Sequence, residues 1–153
     1  METIDPQMAA RVWQRVRPGE EPPVAETPPA PLAALIAREY QLAEVFRELS
    51  ARFPGHQEAL LRLHRRCRGR AACLRGIALL REEEIPPAPP QRLEERPLAA
   101  ILGRCYGRSL EGLTEYSSRV SDREYGGVFQ CLAQQLREQC QAILELLGEL
   151  CRR

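Results

Sequence analysis

Hydrophobic residues recur every three or four positions over four long stretches of the chain, and strand-like alternation is scarce. A period between three and four residues is typical of an α-helix that buries one face. The sequence therefore predicts an all-α protein. Its four helices are expected at about Leu32–Phe53, Gln57–Glu82, Pro97–Val120 and from just after Gly127 to Cys151.

The connections predict how these helices are arranged. Only Pro54-Gly55 and a residue or so separate the first helix from the second, so residues 32–82 should form an antiparallel hairpin. Residues 97–151 should form another. The Pro-rich segment 83–96 between them can run the full length of a bundle, since polyproline rises about 3.1 Å per residue. We therefore predict a long crossover, with the third helix parallel to the second.

An internal repeat supports the two hairpins. The stretch from Pro31 to Tyr40 recurs, 66 residues later, from Pro97 to Tyr106. Beyond Glu111 the identities shift to a spacing of 67, which predicts a one-residue insertion in the third helix, accommodated as a π-bulge. The second and fourth helices align at a spacing of 69. We also expect a capping box, Ser121-x-x-Glu124, before the fourth helix.

The sequence predicts that residues 1–30 form a segment separate from the bundle of residues 31–153. Asp5-Pro6 is a favourable helix start, and a short helix should lie on the bundle with Trp13 as its anchor. Its apolar face would comprise Ala9, Val12, Trp13 and Val16. The Pro-rich residues 20–31 read as a linker.

Composition narrows the function classes. The chain has 153 residues, 44% of them hydrophobic, which suits one domain with a real core. The net charge is +1 and all 22 basic residues are Arg, so no bulk charge favours nucleic acid or a membrane. Six cysteines without a Cys-x-x-Cys motif, a signal peptide or a long apolar run indicate reduced thiols. We expect a cytoplasmic protein, and the Arg-, Ala- and Pro-rich usage suggests a GC-rich bacterial genome.

Each apolar stripe is interrupted near an equivalent point along the repeat. The polar or small residues that interrupt the stripes are Glu39 in the first helix, Cys67 and Arg70 in the second, Cys105 in the third and Gln139 in the fourth. Because the repeat places these positions at one level, they should form a polar layer across the bundle.

This framework resembles the rubrerythrin-type, ferritin-like family. The run Glu39-x-x-x-Ala43-x-x-Phe46 is similar to that family's first helix, and residues 11–18 are similar to a leader of some bacterial relatives. The resemblance implies a four-helix bundle with a long crossover. It also implies two metal ions, usually iron, held by one Glu from the first helix of each pair and a Glu-x-x-His from the second.

The resemblance fails at the metal ligands. Glu39 keeps the first Glu position, but Cys105 stands at the equivalent position of the second hairpin. Cys67-x-x-Arg70 and Leu136-x-x-Gln139 stand where the two Glu-x-x-His motifs would be. One carboxylate cannot hold two hard cations. We therefore expect no di-iron cofactor and neither peroxide reduction nor iron oxidation.

Two hypotheses describe what replaces the metal. In the first, Arg70 forms an ion pair with Glu39, and Gln139 completes the hydrogen bonding. In the second, Glu39, Cys67 and Cys105 hold a zinc or iron ion, or Cys67 and Cys105 form a disulfide and take part in thiol redox chemistry. A buried carboxylate without a partner is costly, so some compensation is required.

No motif of catalysis stands out elsewhere. The Arg-rich run 62–70 is expected to be a solvated face, balanced by Glu residues of the first and third helices, although an anion-binding surface is an alternative. No Gly-rich phosphate loop or nucleophile motif is present. The leading hypothesis is a non-catalytic interaction or structural protein with an unknown protein partner, a second copy of the chain included. A divergent metal-binding or thiol-redox protein is the alternative.

Overall fold

Four long α-helices make up most of the chain in the computed structural model, which describes residues 30–85, 87, 93 and 96–152. The helices are α1 (Leu32–Arg52), α2 (Gln57–Leu80), α3 (Leu98–Ser118) and α4 (Gly126–Cys151), with a 3-10 turn at Pro54–His56. No strand occurs in the described ranges, so the all-α prediction is confirmed. The predicted N-terminal helix and linker lie outside the described residues, apart from Ala30 and Pro31.

Prolines mark the beginning of both hairpins. Pro31 and Pro97 each stand immediately before a helix with extended backbone, and their carbonyl groups accept the first intrahelical hydrogen bonds. Proline suits this place because its missing N–H would have had no partner there. Pro54 lies beyond the end of α1, where a helix cannot continue easily through proline. Proline therefore marks the beginnings of α1 and α3 and the end of α1.

Contacts between the helices fix their directions. Along the α1–α3 interface, Gln41 bonds Arg108 and Arg38 lies 4.0 Å from Glu111, while Ala30 bonds Arg119. Residue numbers fall along α1 as they rise along α3, so these helices are antiparallel. The two helices of the first hairpin are antiparallel as well. It follows that α3 runs parallel to α2.

The second helices of the two hairpins, α2 and α4, also pack against each other. Arg66 lies 2.9 Å from Glu138, and His56 at the start of α2 lies 3.8 Å from Glu149 near the end of α4. At the opposite end, Arg81 bonds Asp122 in the turn before α4. The helices α2 and α4 are therefore antiparallel, and the four helices form a bundle.

Two described residues between the hairpins pack at opposite ends of this bundle. Ile85 packs on the apolar cluster that contains Leu74 and Phe129. Leu93, eight residues later, packs on the cluster that contains Phe46 and Ile143.

Burial in α3 follows that in α1 at one constant spacing of 66 residues. Buried pairs are Leu32/Leu98, Leu35/Ile101, Ile36/Leu102, Glu39/Cys105, Ala43/Ser109, Phe46/Gly112 and Ser50/Tyr116.

The prediction of a π-bulge is wrong, because α3 is α-helical at every residue. The identities that suggested it do not follow the burial pattern: Glu44 and Glu111 are exposed, and the buried Ser50 is matched at the 66-residue spacing by the buried Tyr116. Val120, predicted to be in the stripe, is exposed.

The start of α4 also differs from the prediction. The capping box is wrong, since Asp122 Oδ1 accepts hydrogen bonds from the backbone N–H groups of Glu124 (2.9 Å) and Tyr125 (3.0 Å). The helix begins at Gly126, not after Gly127. A Cβ at Gly126 would collide with the carbonyl oxygen of Val120, so the close approach of the two backbones requires glycine there.

Candidate functional site

Each helix contributes one buried polar side chain to the middle of the bundle. These are Glu39 from α1, Arg70 from α2, Ser109 from α3 and Gln139 from α4, each at most 1% exposed. They lie between the two apolar clusters. The predicted polar layer is therefore present, with Ser109 as an additional member.

A buried ion pair is the centre of this layer. Arg70 Nε donates to both carboxylate oxygens of Glu39, at 3.0 Å to Oε1 and 3.1 Å to Oε2. The Arg70 side chain is fully buried and that of Glu39 is 2% exposed. The predicted ion pair is thus confirmed. The two formal charges cancel, so the layer can lie in the core without a counter-ion.

Tyr116 supplies a third hydrogen bond to the carboxylate. Its hydroxyl donates to Glu39 Oε1 at 2.7 Å. Burial raises the pKa of Tyr116, and the negative charge of Glu39 raises it further, so the phenol stays protonated as a donor. The sequence analysis missed this role because a Tyr on an apolar stripe is unremarkable. The signal was the hydroxyl itself, which usually finds a partner when it is buried.

Gln139 carries the network onward to α3. Its Oε1 accepts from Arg70 Nη2, and its Nε2 donates to Ser109 Oγ at 2.8 Å. Ser109 Oγ in turn donates to the backbone carbonyl of Cys105 at 2.8 Å. The prediction that Gln139 completes the hydrogen bonding of the Glu39–Arg70 pair is confirmed. Through these bonds the layer connects all four helices.

The carboxylate keeps Arg70 charged despite its burial. Burial by itself would lower the pKa of Arg70, but the charge of Glu39, with smaller contributions from Cys67 and Tyr116, raises the pKa above its ordinary value. Arg70 Nη1 is buried and has no hydrogen-bond partner among the described residues. The other two guanidinium nitrogens have partners. Nε donates to Glu39, and Nη2 donates to Gln139 and Cys67.

The two cysteines of the predicted layer are buried thiols with little acidity. Cys67 Sγ lies 3.3 Å from Arg70 Nη2 and 3.4 Å from Gln139 Oε1. Burial, and then the charge of Glu39, raise the pKa of Cys67 well above its ordinary value. Burial also raises the pKa of Cys105 to about 12. Since the thiolate is the metal ligand and the nucleophile, both groups are poorly suited to either role at neutral pH.

Leu136, the last predicted position, belongs to the apolar packing. It is 1% exposed and is part of the cluster around Leu74 and Phe129. A Cβ added at Gly112 would lie 2.9 Å from Leu136 Cδ1. Leu136 therefore occupies the space left open at Gly112, and contributes no polar group.

The donor set does not fit a di-metal centre. The one carboxylate of the layer has both oxygens engaged by Arg70, and a guanidinium cation lies against it. Over the part of the chain that the structure describes, no group of three or more His, Cys, Asp and Glu side chains is placed to hold a metal ion.

The Arg-rich run of α2 divides between core and surface. Arg70 is in the core, whereas Arg62 and Arg66 are exposed and lie 3.8 Å from Glu58 and 2.9 Å from Glu138 respectively. The carboxylates that pair with Arg62 and Arg66 lie on α2 and α4. On the first helix, as expected, a carboxylate also lies near the run: Arg47, and to a smaller extent Arg68, lower the pKa of Glu44. These ion pairs favour the interpretation of a solvated face.

The fold and site together define a class: a four-helix bundle with a buried ionic layer that spans all four helices. Comparison with protein-family models, with curated proteins and with solved structures finds no match to this chain. None of the helices in the described part has the length and apolar character needed to cross a membrane.

Proposed function

We propose that the chain is a ferritin-like bundle in which the buried Glu39–Arg70 ion pair takes the place of a di-metal centre, and that it acts as a non-catalytic interaction or structural protein. The observation that carries this proposal is the position of Arg70. Its guanidinium bonds the one carboxylate that stands at a family ligand position. A permanent cation there removes the need for a metal ion.

The direction of the helices supports the ferritin-like part of the proposal. The arrangement has α2 and α3 parallel, with Ile85 and Leu93 packed at opposite ends of the bundle. The constant 66-residue spacing of buried positions places Glu39 and Cys105 at equivalent levels. Both features are expected of two repeated hairpins joined by a long crossover.

The alternative, a metal or thiol-redox site at Glu39, Cys67 and Cys105, has weaker support. Glu39 is already bonded by Arg70 and Tyr116, and the pKa values of both thiols are raised. Thiol titration of the folded protein separates the two functions. We expect Cys67 and Cys105 to react only after unfolding, whereas rapid labelling of either in the native state would favour the alternative.

Metal analysis tests the proposal directly. Protein purified without an affinity tag is incubated with Fe(II) or Zn(II), freed of unbound ions and analysed for metal. We expect a content near zero per chain. One or more ions per chain would overturn the replacement of the metal by Arg70.

A variant that restores the ligands tests the ferritin-like register. Its five substitutions are Cys67→Glu, Arg70→His, Cys105→Glu, Leu136→Glu and Gln139→His. We expect it to be poorly folded without metal and to gain helicity and about two ions per chain with Fe(II), because metal binding and folding are coupled. The same variant with Glu39→Ala is the matched control. A helical restored variant that takes up no metal would contradict the ferritin-like geometry.

The interaction role predicts self-association or capture of a protein partner through exposed surface. Sedimentation at increasing protein concentration tests for a homodimer, which would give twice the mass of the chain. A species of one chain at every concentration restricts the proposal to a different protein as partner.

A further inference from the structure

Two adjacent leucines at the end of α2 are the most exposed large hydrophobic residues described. Leu79 is 77% exposed and Leu80 is 72% exposed. We call these two residues the α2-end patch. Val120, which is also exposed, lies at the same end of the bundle, since Arg81 bonds Asp122 at 2.7 Å. Single exposed leucines are common, but a neighbouring pair at this exposure suggests a surface that something covers.

The described chain begins at the end of the bundle that carries this patch. The carbonyl of Ala30 accepts a hydrogen bond from Arg119 at the end of α3, and Ala30 packs on the cluster that contains Ile77. Glu39 and Arg70 face each other in the antiparallel pair α1–α2. Nine residues back from Glu39 and nine onward from Arg70 bring Ala30 level with Leu79. Ala30, to which residues 1–29 are joined, therefore lies at the end of the bundle that carries the α2-end patch.

The segment outside the described chain has a matching apolar face. Residues 5–18 are predicted from sequence to form a helix with Ala9, Val12, Trp13 and Val16 on one side. The 11 residues from Gly19 to Pro29 can span up to about 34 Å at the polyproline rise. This reach is enough for the helix to fold back onto the end of the bundle.

The carboxylates next to the α2-end patch are opposite in sign to the arginines of residues 5–18. Glu82, Glu83 and Glu84 follow the patch after Arg81, and all three are exposed. At helical spacing, Arg15 and Arg17 flank the apolar face of the segment, one on each side. Opposite charges around an apolar contact fix its register and steer its formation.

From these placements we propose that residues 5–18 dock on the α2-end patch of their own chain. Trp13 and its apolar neighbours cover Leu79 and Leu80, and Arg15 and Arg17 face the Glu82–Glu84 carboxylates. The proposal concerns the end of the bundle. It does not depend on the ion-pair layer or on the proposed function.

The single tryptophan of the chain makes docking measurable in the intact protein. Trp13 emission and acrylamide quenching are recorded for the full chain and for the variant with Leu79→Ser and Leu80→Ser. We expect wild-type emission at shorter wavelength than in the urea-unfolded chain. In the variant, emission should shift toward the unfolded value and quenching should increase several-fold. Leu144→Ser is the matched control, because Leu144 is an exposed leucine of α4, and it should change neither value.

A second variant tests the charged part of the contact. Glu83→Gln with Glu84→Gln should increase quenching of Trp13, and added salt should do the same in the wild type but less in the variant. Circular dichroism checks that each variant keeps its helices. Wild-type emission equal to that of the unfolded chain, or no response to Leu79→Ser and Leu80→Ser, overturns the proposal. Emission that depends on protein concentration also overturns it, by assigning the patch to a second copy of the chain.

Discussion

At the scale of single residues, the fold depends on how Glu39 is stabilised in the core. Removing a carboxylate from water costs several kcal/mol unless charge and hydrogen bonds compensate it. Glu39 receives an ion pair from Arg70 and a hydrogen bond from Tyr116. Removing Arg70 alone should therefore lower the free energy of unfolding more than removing Glu39 and Arg70 together.

Replacing Arg70 by leucine tests this asymmetry. Arg70→Leu leaves a buried, unpaired carboxylate and should lower the free energy of unfolding by about 3–5 kcal/mol. The double variant Glu39→Leu with Arg70→Leu should lose less than Arg70→Leu alone, because no charge is left in the core. Urea denaturation measures both. Equal stability of Arg70→Leu and the wild type would mean that Glu39 does not depend on Arg70.

The contribution of Tyr116 is separable from that of Arg70. Tyr116→Phe removes one hydrogen bond to a charged, buried group and should cost about 1.5–3 kcal/mol in thermal or urea unfolding. Tyr40→Phe is the control, since Tyr40 bonds Arg75 at an exposed site and its loss should stay within about 0.5 kcal/mol. The prediction fails if the two substitutions have the same effect.

The sequence predicted the main residues of the site but not all of them. Glu39, Arg70 and Gln139 were detectable because a charged or amide side chain on an apolar stripe requires an explanation. Tyr116 and Ser109 were not, since both are acceptable on a helix face that packs against neighbours. Their roles depend on which atoms of other helices they reach, and the periodicity of one helix carries no such information.

At the scale of elements, the turn between α3 and α4 shows where local sequence rules fail. Stripes of apolar residues predicted the helices, because burial dominates their energetics. The capping box and the π-bulge failed, because both were inferred from polar residues rather than from the pattern of burial. In the turn, Asp122 and the close approach at Gly126 decide the geometry.

Two adjacent glycines provide a matched test of that geometry. Gly126→Ala should destabilise the protein by roughly 1–3 kcal/mol, because its Cβ would collide with the Val120 backbone. Gly127→Ala has open space around its Cβ and should be neutral or stabilising by up to about 1 kcal/mol. Thermal denaturation distinguishes them. Similar effects of both substitutions would exclude a special role for Gly126.

The charge of Asp122 should make part of the stability depend on pH. The hydrogen bond from Arg81, and then the backbone N–H of Tyr125, lower the pKa of Asp122 from 3.8 to about 2. A lowered folded-state pKa stabilises the protein above the unfolded-state pKa, and that stabilisation is lost as the pH falls from about 4 toward 2. Asp122→Asn, which keeps the acceptor oxygen, should melt below the wild type at pH 6 but not near pH 2. A constant difference in melting temperature would contradict this.

At the scale of the whole molecule, two antiparallel hairpins pack with α2 parallel to α3. The sequence predicted this arrangement from the repeat and from the length of the Pro-rich segment. It could not show which helix faces which, since that depends on contacts such as Arg66 with Glu138 and Arg108 with Gln41. Nor did it show that burial keeps one spacing throughout α3.

The length of the connection should therefore be limiting. Ile85 and Leu93 pack at opposite ends, and eight residues at about 3.1 Å each span roughly 25 Å. Deleting residues 87–91 leaves three residue steps, or about 9 Å, between Ile85 and Leu93, so the two cannot both keep their packing and the melting temperature should fall. Inserting five Gly/Ser residues at the same place is the control and should be tolerated. A deletion variant as stable as the wild type would require a different connection.

The position of Arg70 also has a consequence for how the protein responds to its surroundings. A bundle organised by a bound ion gains stability only while the free ion is available, and it loses that stability by mass action when the ion is scarce. In this chain the central cation is covalently part of the polypeptide. Chelators and metal starvation should therefore leave the Glu39–Arg70 contact unchanged. The charge at the centre of the bundle is fixed when the chain is synthesised.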